Sequence, residues 1–311
     1  MMSGMYQVLK NSTSQFAPIR NLQYHVRTWG TRKAGQRPLV MVHGWMDVSA
    51  SFQFVVDALK EDRYIVAPDW RGYGKTVVPS TDNYWIPDYL ADLDFLLDWI
   101  ELENNPDGGK QVDLLGHSLG GNVVMLYSGI KPERIHRLIN LEGFGMPRTK
   151  PENASKRYVQ WINELKKMNK GELNLTAYES ADGVARRLMK TNKRLPEDKA
   201  QWLARHWAKE NQSGKWDILG DAAHKVVNAN LYQVDEALSL YKQITAPTLA
   251  VEAENNEMEK WWAGKFTLAE YHERLKSVPN CRIEAVANAG HMMHHDQPEI
   301  LAQMIEEFLK N

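Results

Sequence analysis

The segment Leu114, Leu115, Gly116, His117, Ser118, Leu119, Gly120, Gly121 holds a serine with a glycine two residues away on either side. A serine hydroxyl is a poor nucleophile at neutral pH unless a neighbouring base takes its proton as it attacks, and imidazole titrates in the right range to do so. G-x-S-x-G suits a sharp turn from a strand into a helix, which leaves the hydroxyl alone at a sheet edge and aims the positive helix end at nearby anions. With glycine and serine each near 7% of residues, the pattern arises by chance about 0.1 times in this length. The apolar run before it and the helical pattern after it give the match its weight. Of ten histidines, His291 is the best placed base, on a loop just ahead of a helix opened by Asp296, Gln297 and Pro298. His291, His294 and His295 also stand at i, i+3 and i+4, a spacing open to metal ligands. No acidic partner of a zinc motif accompanies them, so no metal is expected. His294 and His295 are expected to begin the final helix or to touch the pocket wall.

These side chains need a scaffold. Leu22 to Trp29, Pro38 to Val42, Tyr64 to Ala67, Val112 to Leu115 and Ile135 to Leu141 are β-rich runs. Between them, Ser51 to Lys60, Ile86 to Leu102 and Leu119 to Ile130 carry apolar residues at helical spacing. Such alternation implies βαβ units and a parallel sheet covered on both faces, with ligands at the strand ends. From Gly143 the apolar runs thin out, charge rises, and Lys156 to Met168, Gly183 to Lys190, Asp198 to Lys209 and Ala222 to Tyr241 read as helices. The alternation resumes with Thr248 to Val251, a helix at Phe266 to Ser277, a strand at Cys281 to Val286 and a helix after Pro298. The expected organisation is a core in two parts, 1–142 and 243–311, with a helical insertion at 143–242.

The chain resembles the α/β-hydrolase superfamily over nearly its whole length. Val40, Met41, Val42, His43 and Gly44 look like its oxyanion loop. Asp69, Trp70, Arg71, Gly72, Tyr73 and Gly74 look like its D-x-R-G-x-G turn, and Gly290 with His291 like its histidine loop. The resemblance implies an α/β fold with a mostly parallel eight-stranded sheet, helices on both faces, and the insertion as a cap. It also implies a catalytic triad of serine, histidine and acid, with an oxyanion hole made by the backbone N–H groups of Trp45 and Leu119. His43 is expected to brace the oxyanion loop. The acid departs from the family pattern, because Asn256 stands where the aspartate belongs and an amide carries no charge. Glu254 is one replacement. Glu142, at the end of the Ile135 to Leu141 strand and followed by Gly143, is the favoured one, at the alternative position used by haloalkane dehalogenases and some other relatives.

Composition bounds the function. The chain has 311 residues, of which 43% are hydrophobic and 25% charged, as in an ordinary globular protein. The lone Cys281 forms no internal bridge and supplies no cysteine zinc site. A formal charge of -1 leaves no basic excess to draw nucleic acid or an anionic membrane. Met1 to Lys10 lacks a signal-peptide pattern, and no span approaches the roughly 20 apolar residues of a membrane helix, so a cytosolic protein is expected. Eleven tryptophans are many. Trp45 falls in the oxyanion loop, Trp161, Trp202, Trp207 and Trp216 in the insertion, and Trp261 with Trp262 after the Thr248 strand, which suggests an apolar, partly aromatic pocket. His43, Trp45, His117, Phe144 and Trp161 are its expected lining. The reading is a cofactor-free serine hydrolase that cleaves a small or medium, apolar ester or related acyl compound. Two alternatives stand beside it: a cofactor-free ring-cleaving dioxygenase or carbon–carbon bond hydrolase, and a non-catalytic ligand-binding protein.

Overall fold

The computed structural model describes residues 5–104 and 111–310. In chain order the elements are β1 (Ser12–Ile19), β2 (Leu22–Trp29), β3 (Leu39–Val42), α1 (Gln53–Ala58), β4 (Ile65–Pro68), α2 (Ile86–Asn104), β5 (Val112–His117), α3 (Leu119–Ile130) and β6 (Ile135–Leu141). An insertion follows, with α4 (Ala154–Asn169), β7 (Ala177–Tyr178), α5 (Ala181–Thr191), α6 (Glu197–Trp207), β8 (Ala208–Glu210), β9 (Trp216–Ile218) and α7 (Val234–Tyr241). The chain then returns through β10 (Thr248–Ala253), α8 (Met258–Trp261), α9 (Leu268–Leu275), β11 (Cys281–Val286), α10 (Met293–Asp296) and α11 (Pro298–Lys310).

Eight strands form one sheet in the order β1-β2-β4-β3-β5-β6-β10-β11. The pairs from β4 through to β11 are all parallel, while β1 with β2 and β2 with β4 are antiparallel. The mostly parallel eight-stranded sheet is therefore as expected. Its period of two is visible in β3. Val40 and Val42 join one core with Leu93 and Leu97 of α2 and Val123 and Val124 of α3, whereas Leu39 and Met41 join the other with Val55 of α1 and Leu301 and Ile305 of α11. Each of these fully buried side chains adds roughly 1.5–3 kcal/mol of transfer free energy. β5 and β6 sit at the middle of the sheet with both faces covered, so their carboxyl ends are held rigidly.

Three elements depart from the sequence reading. Strand β1 pairs with β2 along its whole length but carries polar, outward residues, which hides its alternation. The insertion is not wholly helical, since β7, β9 and β8 make a small three-stranded sheet. Ala222 to Tyr241 is not one helix. Asp221 caps a single 3-10 turn at Ala222–Lys225, and the chain then runs unwound to α7. Asn228 accepts from the backbone N–H of Asn230 at 2.9 Å, the local bonding by which asparagine competes with helix. Helices α5 and α6 share a third core with Val48, Ala50 and Phe54, so the insertion is packed directly onto the segment that follows β3. Among the described residues, no helix is long and apolar enough to cross a membrane.

Candidate active site

Ser118 lies between the end of β5 and the start of α3, with φ 53° and ψ -113°. A non-glycine residue pays on the order of 1–3 kcal/mol for such backbone and is found there only where its surroundings hold it. Here its N–H donates to Leu141 O at 2.8 Å and its carbonyl accepts from Asn122 N at 2.9 Å. The flanking glycines are dictated by close approach. A Cβ on Gly116 would stand 2.3 Å from Gly120 O, and one on Gly120 would stand 2.3 Å from Val42 O. The turn can be this tight only because both positions lack a side chain.

Glu142 follows directly on β6, next to β5 in the sheet, and it too has positive φ, 51°. Asn140 closes this second turn, accepting from Gly143 N at 2.8 Å and donating to Gly143 O at 3.1 Å. The Glu142 backbone N–H donates to Val251 O at 3.0 Å, while its Oε1 accepts from Ala253 N at 2.7 Å. The other oxygen, Oε2, meets His291 Nδ1 at 2.6 Å, with the Glu142 side chain fully buried. His291 Nε2 stands 3.0 Å from Ser118 Oγ. An ionised carboxylate only accepts, so Nδ1 carries the hydrogen and the Nε2 lone pair faces the serine hydroxyl. The three residues thus form an unbroken chain of two hydrogen bonds in which the hydroxyl proton has somewhere to go.

The histidine loop is pinned from several sides. Gly290 N donates to Asp296 Oδ2 at 2.8 Å, and Asp296 Oδ1 accepts from Asn192 of the insertion at 2.7 Å. His117 Nε2 bonds the carbonyl of His291 at 2.8 Å. Trp261 sets its ring edge-on to the His291 imidazole, with centroids 4.6 Å apart.

Across from His291, the loop after β3 passes close over the serine: a Cβ on Gly44 would lie 3.1 Å from Ser118 Cβ. His43 braces it. Its Nε2 accepts from Trp70 N at 2.9 Å, its Nδ1 donates to Gly44 O at 2.8 Å, and its own carbonyl accepts from Trp70 Nε1 at 3.0 Å. Burial pushes the His43 pKa down, in keeping with a neutral ring that accepts at one nitrogen and donates at the other. Leu119 N opens α3 and has no acceptor within the helix; among the described residues neither it nor Trp45 N meets a backbone or side-chain acceptor.

The remaining candidate residues fall as follows. Glu254 is exposed and accepts from Asn288 N at 2.8 Å, away from His291. Asn256 donates to Ala253 O at 3.1 Å. Of the expected pocket lining, His43 and His117 are buried beneath the loop and strand backbone, and Phe144 is buried edge-on against Tyr271. Trp161 is partly buried on α4. Trp45 alone of the five is largely exposed, 54%, with its indole N–H 3.3 Å from His224 O. His294 and His295 do not open the final helix. They occupy the short α10 and are fully buried, because α10 turns inward before Pro298 starts α11. Sequence reasoning missed Asn140, Asp296 and Trp261 as supports of the site. Asp296, six residues past Gly290, had a local signal; the other two reach the site only through the fold. The described residues also bring together three side chains able to bind a metal, Asp47, His117 and His294, all buried.

A family model described as alpha/beta hydrolase fold matches residues 37–298. The chain belongs to the alpha/beta hydrolase fold family. Its similarity to known members runs nearly end to end. It is 25% identical to a serine hydrolase-like protein of Danio rerio over 97% of this chain and 90% of that one. It is 24% identical to an sn-1-specific diacylglycerol lipase of Xenopus laevis over 88% and 80%. The solved thioesterase domain from the curacin biosynthetic pathway superposes with a TM-score of 0.78 at 19% identity, covering 95% and 99% of the two chains. Within this family fold, Ser118, Glu142 and His291 stand at the ends of β5 and β6 and on the loop after β11.

Proposed function

We propose that this chain is a serine hydrolase that cleaves an apolar carboxylic ester or related acyl compound through an acyl-enzyme on Ser118. One observation carries the reading: the Ser118 to His291 to Glu142 hydrogen-bond chain, at 3.0 Å and 2.6 Å. His291 Nε2 takes the hydroxyl proton as Ser118 Oγ attacks the carbonyl carbon, and Glu142 stabilises the imidazolium that forms. The tetrahedral oxyanion faces the backbone N–H groups of Trp45 and Leu119, each contributing about 3 kcal/mol in the transition state. Collapse passes the proton from His291 to the departing alcohol. Water then enters, gives its proton to His291 and releases the acid. The apolar preference is supported by the exposed Trp45 and by Trp261 against His291. The lipase named above is a relative whose substrate is of that kind.

Labelling of intact protein by a fluorophosphonate, followed by an ester panel of varied acyl length, tests this. The expected result is a single adduct on wild type, none on Ser118→Ala, and turnover that rises with acyl length. No adduct at all would favour a ligand-binding protein. Absence of ester turnover together with aerobic cleavage of a hydroxyquinolone and release of carbon monoxide would favour the ring-cleaving alternative.

A further inference from the structure

Behind the histidine loop, His117 from the end of β5 and His294 of α10 meet Asp47 of the loop after β3 in a space closed to solvent, with exposures of 2%, 0% and 3%. His117 Nε2 bonds the His291 carbonyl at 2.8 Å. A carbonyl only accepts, so Nε2 carries the hydrogen and Nδ1 presents its lone pair. Among the described residues that lone pair has no hydrogen-bond partner, and neither do Asp47 Oδ2 and the two ring nitrogens of His294. Asp47 Oδ1 is by contrast well supplied, accepting from Val48 N at 2.9 Å, from Trp207 Nε1 at 3.0 Å and from Ser51 Oγ. One ligand atom from each of Asp47, His117 and His294 lies within 4.8 Å of the others.

A buried carboxylate oxygen and a buried imidazole lone pair that converge without a hydrogen bond are costly to leave so. A cation satisfies both. His294 Nε2 approaches Asp47 Oδ2 at 3.6 Å, the distance of an ion pair, and this contact gives His117 Nδ1 no donor.

We propose that Asp47, His117 and His294 form a buried structural site for a divalent transition metal of the zinc class. Two imidazole nitrogens and one carboxylate oxygen are the borderline donor set that zinc takes. The outer shell matches as well. A ligating histidine usually gives its other N–H to a backbone carbonyl, as His117 does to His291, and a ligating carboxylate is itself hydrogen-bonded, as Asp47 is at Oδ1. His295 Nε2 extends this shell, 3.0 Å from the same Ser51 hydroxyl that bonds Asp47. Donors around a tetrahedral zinc lie about 3.4 Å apart at bond lengths near 2.1 Å, so movements of under about 1 Å per side chain close the site. The ion would tie together the β5 end, the loop after β3 and the histidine loop, whether or not Ser118 is a nucleophile.

The test uses the full chain. Metal content is measured by mass spectrometry as purified, and again after chelation and reloading with Zn²⁺; Co²⁺ loading is followed by visible absorption. The expected outcome is one ion per chain, Co²⁺ d–d bands, and a Tm increase of roughly 5 °C at a hundredfold excess over Kd. His294→Phe and Asp47→Asn should each abolish the bands. Ser51→Ala should weaken Zn²⁺ binding about 10–100-fold. His272→Gln, at the partly exposed histidine paired with Glu252, should change neither. Failure to take up one ion per chain, or Co²⁺ bands that survive His294→Phe, overturns the proposal. Should His294→Phe not fold, unchanged Zn²⁺ affinity in Ser51→Ala overturns it equally.

Discussion

Replacing Glu142 by glutamine separates charge from shape at the buried end of the hydrogen-bond chain. The amide is isosteric, and its oxygen can go on accepting from Ala253 N, now 2.7 Å from Glu142 Oε1. Its NH₂ group then faces His291 Nδ1, which sits 2.6 Å from Oε2. Two donors cannot share that contact, so the imidazole moves its hydrogen to Nε2 and presents a donor to Ser118 where a base is required. An uncharged amide also gives the imidazolium no stabilisation. Loss of the proper tautomer in a serine–histidine–acid arrangement costs about 10⁴-fold in kcat, or roughly 5.5 kcal/mol of barrier. The fold should hold, because the substitution fills the same volume and keeps the backbone bond. The assay is kcat and KM on an activated ester, with the fluorophosphonate labelling rate as a second readout and urea unfolding as the control. Glu254→Gln is the comparison: that side chain is exposed and, among the described residues, hydrogen-bonded only to Asn288 N, so kcat should stay within about twofold. An Glu142→Gln variant that keeps a tenth of kcat, or a Glu254→Gln variant that loses as much as Glu142→Gln, refutes the assignment of the acid.

Other outcomes follow from the same geometry. Gly44→Ala places a Cβ 3.0 Å from His117 Nδ1 and 3.1 Å from Ser118 Cβ, so the oxyanion loop must shift and kcat should drop about 10²–10³-fold with KM little changed. Trp45→Ala removes an exposed side chain while leaving its N–H, so kcat on a short acyl ester should be retained and KM for apolar esters should rise, as an acyl-length series would show. Gly120→Ala drives a Cβ to 2.3 Å from Val42 O, backbone that cannot yield, and should cost several kcal/mol in urea unfolding. Burial pushes His206 down to about 4 and His224 to about 3. Both are neutral in the fold but titrate near 6.5 when unfolded, so the unfolded chain binds the extra protons below that pH. Their stability is full above about pH 6.5 and is lost as pH falls, by roughly 1.4 kcal/mol per pH unit for each imidazole; flat urea midpoints between pH 7 and 4.5 would contradict this.

Much of this was legible in the chain itself. G-x-S-x-G between an apolar run and a helical one is a local pattern, and the glycines it needs are dictated by contacts only a few residues away, Gly116 against Gly120 O. The central parallel strands β3, β4 and β5 were readable because they are buried along their whole length, β3 as an unbroken apolar run. Strand β1 was not, because an edge strand with outward polar residues shows little alternation. Within the insertion, short strands and asparagine-bonded turns depend on partners distant in sequence or on single side chains, so helical spacing overcounted helix there.

The acid shows the boundary most clearly. Sequence offered Glu142 and Glu254 as carboxylates in roughly the right places and favoured Glu142, at the end of a strand and before Gly143, but it left Glu254 as an alternative. The order of strands in the sheet chooses between them. Setting β6 beside β5 and β10, with Glu142 at positive φ and Ala253 N holding one oxygen, points the other oxygen at His291, while Glu254 turns outward to Asn288. The same holds for Asp47, His117 and His294, three residues from three parts of the chain whose unpartnered atoms meet only in the folded molecule. Composition and spacing determine which side chains can do chemistry and on what elements they stand, because those depend on near neighbours. Which side chains face each other, and which are left with an unmet lone pair, depends on strand order and burial, which arise only when distant segments pack.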